Sequence, residues 1–370
     1  MGGSYGIKVH VYPDEVATAA IAKVMGRPVK FVADRLESFT TDIHARDHEI
    51  EAKIAVDAEG KILAIDVDDW TGIGPYSVYP RTSAIEGNQV VNLVGGPYDF
   101  ANYRARTTVV FQNKTPTCQY RAVGHPIAVA ITEGLVDMAA AELGMDPVEI
   151  RRRNLYPDDA YPVTSPAKMR FEGLSHHASL EKLLELMDYD ALRADQAEAL
   201  KPGKRRGIGI ASFIELTNPS PFMYGIGGAR ISAQDGCTVR MDPDGSVVAL
   251  SGVTEQGQGT EAMLSQVVAE GVGVTPDKVR VITGDTQVTP YGGGTWASRG
   301  AGIGGEAALQ AARALRSSII EVAAAMLQAD TAALDIRDGQ IVDEATGLER
   351  MPLEELGRIV YFRGDTLPKD

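Results

Sequence analysis

Apolar side chains recur at helical spacing between residues 14 and 25, with Val16, Ala19, Ala20 and Val24 on one face. Pro13, Asp14 and Glu15 stand where a helix start favours them and Gly26 where a helix ends, so the pattern predicts a bounded helix. Segment 29–34, VKFVAD, predicts a strand. Segments 50–57 and 61–70, IEAKIAVD and KILAIDVDDW, alternate around Ala58-Glu59-Gly60 and predict an antiparallel hairpin. Pro75, Pro80, Gly95, Gly96 and Pro97 then mark a long stretch expected to be rich in loops. A long helix is predicted over 127–143, closed by Gly144. Asp146-Pro147 opens a shorter one to 153, and an amphipathic helix lies around 180–187.

Composition turns polar and basic at Lys201-Pro202-Gly203-Lys204-Arg205-Arg206-Gly207, which reads as a boundary between two subdomains, 1–200 and 201–370. A chain of 370 residues exceeds what one hydrophobic core usually organises, and a hydrophobic content of 44% is enough to fill two. Beyond the boundary come an apolar run at 207–216 and a hairpin at 237–250 turning at Asp244-Gly245. A helix at 261–272, a strand at 278–285, a glycine-rich loop at 291–305 and an alanine-rich helix at 306–328 follow. Strands and helices alternate without strict β-α-β repetition, so the expected class is α+β.

Charge narrows the partners. A formal net charge of -14 argues against nucleic acid or an anionic membrane, and the runs at Arg151-Arg152-Arg153 and Lys204-Arg205-Arg206 are too short to reverse that. Cys118 and Cys237 form no C-x-x-C or Cys/His cluster, so neither disulfide framework, structural zinc nor iron–sulfur site is indicated. With no signal-like N-terminus and no long apolar run, the expected location is the cytoplasm. His44 and His48 have i, i+4 spacing but no third ligand, so no metal ligands are assigned.

Four loops could carry chemistry. Gly2-Gly3-Ser4-Tyr5-Gly6 allows positive φ and close ligand approach, or is a tight turn. Tyr120-Arg121-Ala122-Val123-Gly124 precedes the long helix, where Arg121 could hold an anion or pair with a nearby carboxylate or carbonyl; His125 beside it, without a metal-spaced partner, reads as structural or solvated. Glu255-Gln256-Gly257-Gln258-Gly259 offers amide donors and bare backbone, or caps the next helix. Gly292 to Gly305 contains G-x-G-x-x-G at Gly300, Gly302 and Gly305, but without the buried strand that a dinucleotide fingerprint must follow.

Their order is the informative feature. GGSYGIK, YRAVGHP leading into a long helix, DGSVVALSGVTEQGQGT, then KVRVITGDT with GTWASRG resembles the large, molybdopterin-binding subunits of the xanthine dehydrogenase/aldehyde oxidase family. Those subunits carry a GGxFGxK loop, an FRG or YRG loop, a GQG loop and a T-x-A-S segment. The resemblance implies a two-subdomain α+β architecture and a molybdenum–molybdopterin cofactor, whose pterin could carry an added nucleotide. Gly3, Ser4, Tyr5 and Gly6 would lie close to the molybdenum centre, with Tyr5 where the family usually has Phe. Arg121 would border the same centre. Gln258 and Ala297 would lie along the pterin, with Gly257, Gly259 and Ser298 in support. It further implies electron transfer to an iron–sulfur small subunit and a FAD-binding medium subunit.

Departures bear on substrate and completeness. Purine-oxidising members carry Glu where this chain has Val9, and a stacking aromatic where it has Val123. A pocket with Val9 and Val123 favours an aldehyde or a less polar N-heteroaromatic compound, because a polar substrate would lose its bonds to water there. The family's general-base Glu sits in a Gly-x-Gly-Glu context near the C-terminal end of the subunit. No such motif occurs in these 370 residues, so no catalytic residue is assigned. Met1 stands directly before a glycine loop that should follow a strand. The expectation is therefore a central segment of the large subunit, truncated at both ends, inactive in isolation and needing the missing segments. The rival expectation is a non-catalytic truncated paralogue that binds a small molecule or acts as a scaffold.

Overall fold

A computed structural model describes residues 4–80, 82–198, 203–218, 232 and 234–367. It divides the chain into two compact units, Tyr5–Glu215 and one built on Leu216–Asp370, to which Ser4 also belongs.

The first unit is organised by a three-stranded sheet of β1 (His48–Val56), β2 (Ile62–Gly72) and β3 (Asn102–Val110), in that order. β1 and β2 form the expected antiparallel hairpin; β3 returns parallel to β2. Because side chains alternate across a strand, Ile65, Val67, Asp69 and Thr71 of β2 share the buried face. Preceding the sheet are α1 (Pro13–Met25), which starts at Pro13 and stops at Gly26 in the left-handed conformation, and α2 (Arg35–Thr41). Helix α3 (Ile85–Leu93) and the long α4 (His125–Leu143) cover the sheet's inner face: Val90 and Leu93 join Ala128, Ile131, Leu135 and Val136 in one core with Ile65 and Val67. α5 (Pro147–Asn154), capped by the Asp146 side chain, a short hairpin of β4 (Val163–Thr164) and β5 (Arg170–Phe171), α6 (His176–Met187) and α7 (Tyr189–Glu198) complete this unit.

In the second unit β6 (Cys237–Met241) and β7 (Val247–Ser251) pair antiparallel around a turn with Gly245 at φ 77°, and β8 (Val279–Thr283) lies parallel to β7. The connection from β7 to β8 is α8 (Thr260–Val272). The strand β7 is buried along nearly its whole length, as a central strand should be. It packs with α8 and the alanine-rich α9 (Gly305–Leu327) through Val247, Ala249, Leu264, Val268, Ala308 and Ala312. A second sheet, β9 (Leu334–Arg337), β10 (Gln340–Asp343) and β11 (Glu349–Pro352), is followed by α10 (Leu353–Phe362).

Two sequence expectations are corrected. Segment 29–34 is not a strand: it pairs with no neighbour and leaves Phe31 and Val32 exposed. The stretch expected to be loop-rich holds α3 and, soon after it, β3, which begins in alternating arginines because its outer face is in water. The apolar run at 207–216 belongs to no helix or strand.

Candidate functional site

Within the first unit, two of the predicted loops meet. Tyr5 adopts φ 53° and Gly6 φ 107°, and a Cβ at Gly6 would stand 2.9 Å from the Gln119 carbonyl oxygen, so the backbones run against each other where only glycine fits. The Arg121 amide donates to the Tyr5 carbonyl at 2.6 Å, and the Arg121 guanidinium lies 5.7 Å from the centre of the exposed Tyr5 ring. Ala122 at φ 63° and Gly124 at φ 73° turn the chain sharply into α4. A Cβ on Gly124 would reach within 2.6 Å of Gln89 on α3, which explains that glycine. His125 Nδ1 lies 2.9 Å from the Val123 carbonyl, in keeping with a structural role. Val9 ends a single 3-10 turn at Ile7–Val9 and is half-buried, as is Val123. Ser4 is buried, and Gly3 lies outside the described residues.

Within the second unit the other two loops are zipped together. The Thr254 amide donates to Thr295 Oγ1 at 2.9 Å, and that hydroxyl donates back to the Thr254 carbonyl at 2.7 Å. Gln256 Nε2 donates to the Thr295 carbonyl at 3.0 Å. The EQGQG turn is organised from inside by Glu255, whose carboxylate accepts the amides of Gly257 at 2.6 Å, Gly259 at 3.2 Å and Glu261 at 3.0 Å. Hydrogen bonds from the Glu261, Gly257 and Gly259 backbones hold that carboxyl below the usual range. Gln258 is exposed, with Nε2 on Thr260 Oγ1 at 2.6 Å and Oε1 accepting the Gln256 amide at 2.8 Å.

In the neighbouring segment Ala297 and Ser298 are both left-handed, at φ 49° and 55°, a conformation non-glycine residues adopt at a cost. Arg299 enforces it. Fully buried, it pairs with buried Asp235, donates to the Gln234 carbonyl at 3.0 Å and to that of Ser232, and lies 5.5 Å from the Trp296 ring centre. Burial nevertheless pushes the Asp235 carboxyl up, the paired guanidinium opposing it. The G-x-G-x-x-G spacing falls on a π-helical turn at Gly300–Gly304 that follows an irregular loop, which rules out a dinucleotide fold there.

The donor set can be tested against a pterin. The exposed edge of the zipped loops offers Gln258, the Ser298 hydroxyl and backbone groups, and the loops' own arginine, Arg299, is spent on Asp235. Gly259 and Gly294 have open space where a side chain would project. A flat, neutral heterocycle with many donors and acceptors fits such an edge. The start of α8 is closed to a free phosphate, because Glu255 already fills its amides. Sequence reasoning singled out the EQGQG loop, and its alternative of capping the next helix describes Glu255, which accepts the Glu261 amide; it missed Thr254 and Thr295 as the residues that join the two loops.

The molybdopterin cofactor-binding domain family matches residues 1–155 and again residues 182–369. The nicotine 6-hydroxylase large subunit of Paenarthrobacter nicotinovorans is 33% identical over 370 residues, covering 99% of this chain and 45% of that protein. The carbon monoxide dehydrogenase large chain of Hydrogenophaga pseudoflava is 32% identical over 344 residues, covering 90% and 42%. Among solved structures, quinoline 2-oxidoreductase from Pseudomonas putida 86 superposes with a TM-score of 0.88 at 32% identity, over 100% of this chain and 47% of that one. The chain thus spans less than half the length of the relatives it matches.

Proposed function

The chain belongs to the molybdopterin cofactor-binding domain family, and from that premise we propose that it forms the cofactor-cradling part of the large subunit of a molybdenum hydroxylase. The observation that carries the reading is the zipped pair of loops, in which Thr254, Gln256 and Thr295 hold the GQG turn against the left-handed Ala297-Ser298 segment. On this reading Gln258, Ala297 and Ser298, supported by Gly257 and Gly259, line the pterin. Tyr5, Gly6 and Arg121, with Gly3 and Ser4, border the metal centre. The two compact units then correspond to two molybdopterin-binding subdomains. When bound, the cofactor would supply water-derived oxygen insertion at an electrophilic C–H carbon. This chain's residues would bind and orient it: neutral amides for the heterocycle, and Arg121 for charge near the reacting centre.

Val9 and Val123 give the substrate side no carboxylate and no aromatic face, which favours an N-heteroaromatic compound or an aldehyde over a purine. The names of two relatives, a nicotine hydroxylase and a quinoline oxidoreductase, favour the N-heteroaromatic choice. Electrons would leave through iron–sulfur and FAD subunits. The test is co-expression with such subunits and with the large-subunit segments that the chain does not span, followed by molybdenum and pterin analysis of the purified complex and a substrate screen. Stoichiometric molybdenum and pterin with turnover of a quinoline or pyridine are expected. An assembled complex lacking molybdenum and pterin would refute the reading.

A further inference from the structure

The inner face of the β1-β2-β3 sheet is apolar along most of its length and turns polar at one end. The strand register puts His48 of β1 opposite Thr71 of β2, and Asp69 of β2 opposite Thr107 of β3. All four belong to the inward set, and Glu86 of α3 comes down onto them. His48 Nδ1 lies 2.7 Å from Asp69 Oδ1, and its Nε2 3.8 Å from Glu86 Oε2. Thr71 and Thr107 donate to the other Asp69 oxygen at 2.8 and 2.9 Å. The side chains of His48, Asp69 and Glu86 are 4%, 0% and 2% exposed. His48 is the group that faces both carboxylates, one through each ring nitrogen.

The cluster also reaches the loop above. The Glu86 carboxylate accepts the Arg46 amide at 3.2 Å, which holds Arg46 at φ 66°. From there the Arg46 guanidinium donates to the Arg121 carbonyl and lies 5.4 Å from the centre of the Tyr120 ring. Arg121 in turn bonds Tyr5 through its amide at 2.6 Å. A continuous chain of hydrogen bonds and charges therefore joins the sheet interior to the two loops that meet at Tyr5 and Arg121. We propose that the buried His48–Asp69–Glu86 cluster is a positioning device which, acting through Arg46, sets the place of Arg121 in the YRAVG loop. Its consequence for a bound ligand rests on the reading of Arg121 as bordering the cofactor; the positioning itself does not.

The cluster makes the position pH-dependent. Burial disfavours a charged His48, but the hydrogen bond to Asp69 and the nearby Asp69 and Glu86 side chains outweigh it and raise the ring to about 9. The charged and titratable groups around it are Asp69 from β2, Glu86 from α3, and Arg46 and Asp47 from its own segment; Asp47 is itself held low by its hydrogen bond to Lys114. Because the folded value is raised, the stabilisation is complete below the ring's unfolded value and is lost as pH climbs through about 9.

The test is hydrogen exchange of the Arg121 amide in the full chain, corrected for intrinsic exchange. Arg46→Ala cuts the link and leaves the cluster in place. It should lower Arg121 protection about tenfold, the scale of one charge-assisted hydrogen bond, while the thermal midpoint stays within ~2 °C. Wild-type protection should fall between about pH 7 and pH 10, and His48→Gln should be low and flat across that window. If His48→Gln does not fold, the Arg46→Ala result and the wild-type profile still decide. Unchanged protection in Arg46→Ala, or a flat wild-type profile, overturns the proposal. Molybdenum and pterin content of an Arg46→Ala complex separates the two readings. If Arg121 loosens while cofactor content and substrate KM hold, the positioning stands and the assignment of Arg121 to the cofactor falls.

Discussion

Arg151 lies fully buried between α4 and α5, donating to Glu133 at 2.7 and 2.9 Å, to Asp137 at 2.8 Å and to the Pro147 carbonyl at 2.8 Å, while Tyr98 donates to the other Glu133 oxygen at 2.7 Å. Burial pushes the Glu133 carboxyl up and the neighbouring guanidinium opposes it, so this carboxylate depends on its partner. Arg151→Met is therefore expected to cost about 3–5 kcal/mol, the scale for stranding one member of a buried pair, read as a lowered guanidinium midpoint. Glu255 makes a milder case with the opposite pH sign. Its folded value is depressed, so its grip on the Gly257, Gly259 and Glu261 amides is complete above the ordinary Glu value of about 4.3 and is lost as pH falls through the folded value. Exchange protection of those three amides should drop in acid, and Glu255→Gln should remove most of that dependence; an unchanged profile in the variant would show that Thr254 and Thr295 suffice. Such residues were only partly legible in the sequence. Gln258 stood out by its flanking glycines, whereas nothing in the sequence tells that Gln256, between Glu255 and Gly257, turns inward onto the Thr295 carbonyl. Asp69 carried a usable signal, since strand alternation gives it the same parity as Ile65 and Val67, yet an Asp in an acidic run reads by default as solvated.

Helix α8 packs on α9 at Gly271, where a Cβ would lie 2.6 Å from the Ala312 Cβ. Alanine is normally favoured over glycine within a helix by about 1 kcal/mol. Overpacking costs about 1–3 kcal/mol and wins here, because the atom it meets belongs to a rigid neighbour. Gly271→Ala should destabilise, and adding Ala312→Gly should restore part of the loss. A double-mutant cycle would read the coupling as about 1 kcal/mol or more, and simple additivity would refute the close approach. The helices were the legible elements: α1, α4 and α5 announce themselves by proline or acidic starts, and α1 and α4 by glycine ends, and the structure keeps those ends within about two residues. The elements left unread share another property. α3 contains Gly87 because a Cβ there would strike Thr71 and Thr107, so its sequence obeys a tertiary contact rather than helix propensity. Strand β3 exposes Arg104 and Arg106, which pair with Asp66 and Asp68 across the sheet; its pattern makes sense only once β2 is beside it. The β9–β11 strands are four residues each, too short for alternation to register.

At the scale of the molecule, apolar surface and net charge pull in opposite directions. Neither α1 nor α2 has a buried residue, and the segment from 13 to 41 presents Val16, Val24, Val32, Leu36 and Phe39 at 59–88% exposure. Single exposed apolar residues are ordinary, but several within one short segment favour association or aggregation. Against this stands a formal net charge of -14, which keeps like chains apart at low ionic strength. Salt weakens the repulsion, since the screening length shrinks from ~30 Å at 0.01 M to ~8 Å at 0.15 M, and leaves the apolar attraction in place. The purified chain should therefore be monodisperse at low salt and show a rising mean mass by light scattering as salt and concentration increase. Val24→Glu with Phe39→Glu should suppress that rise, while an equal number of charges placed on the arginine-lined outer face of β3 should not. A salt-independent monomer would show that the exposed side chains of α1 and α2 do not drive association. Association that survives the double substitution would locate it elsewhere on the surface.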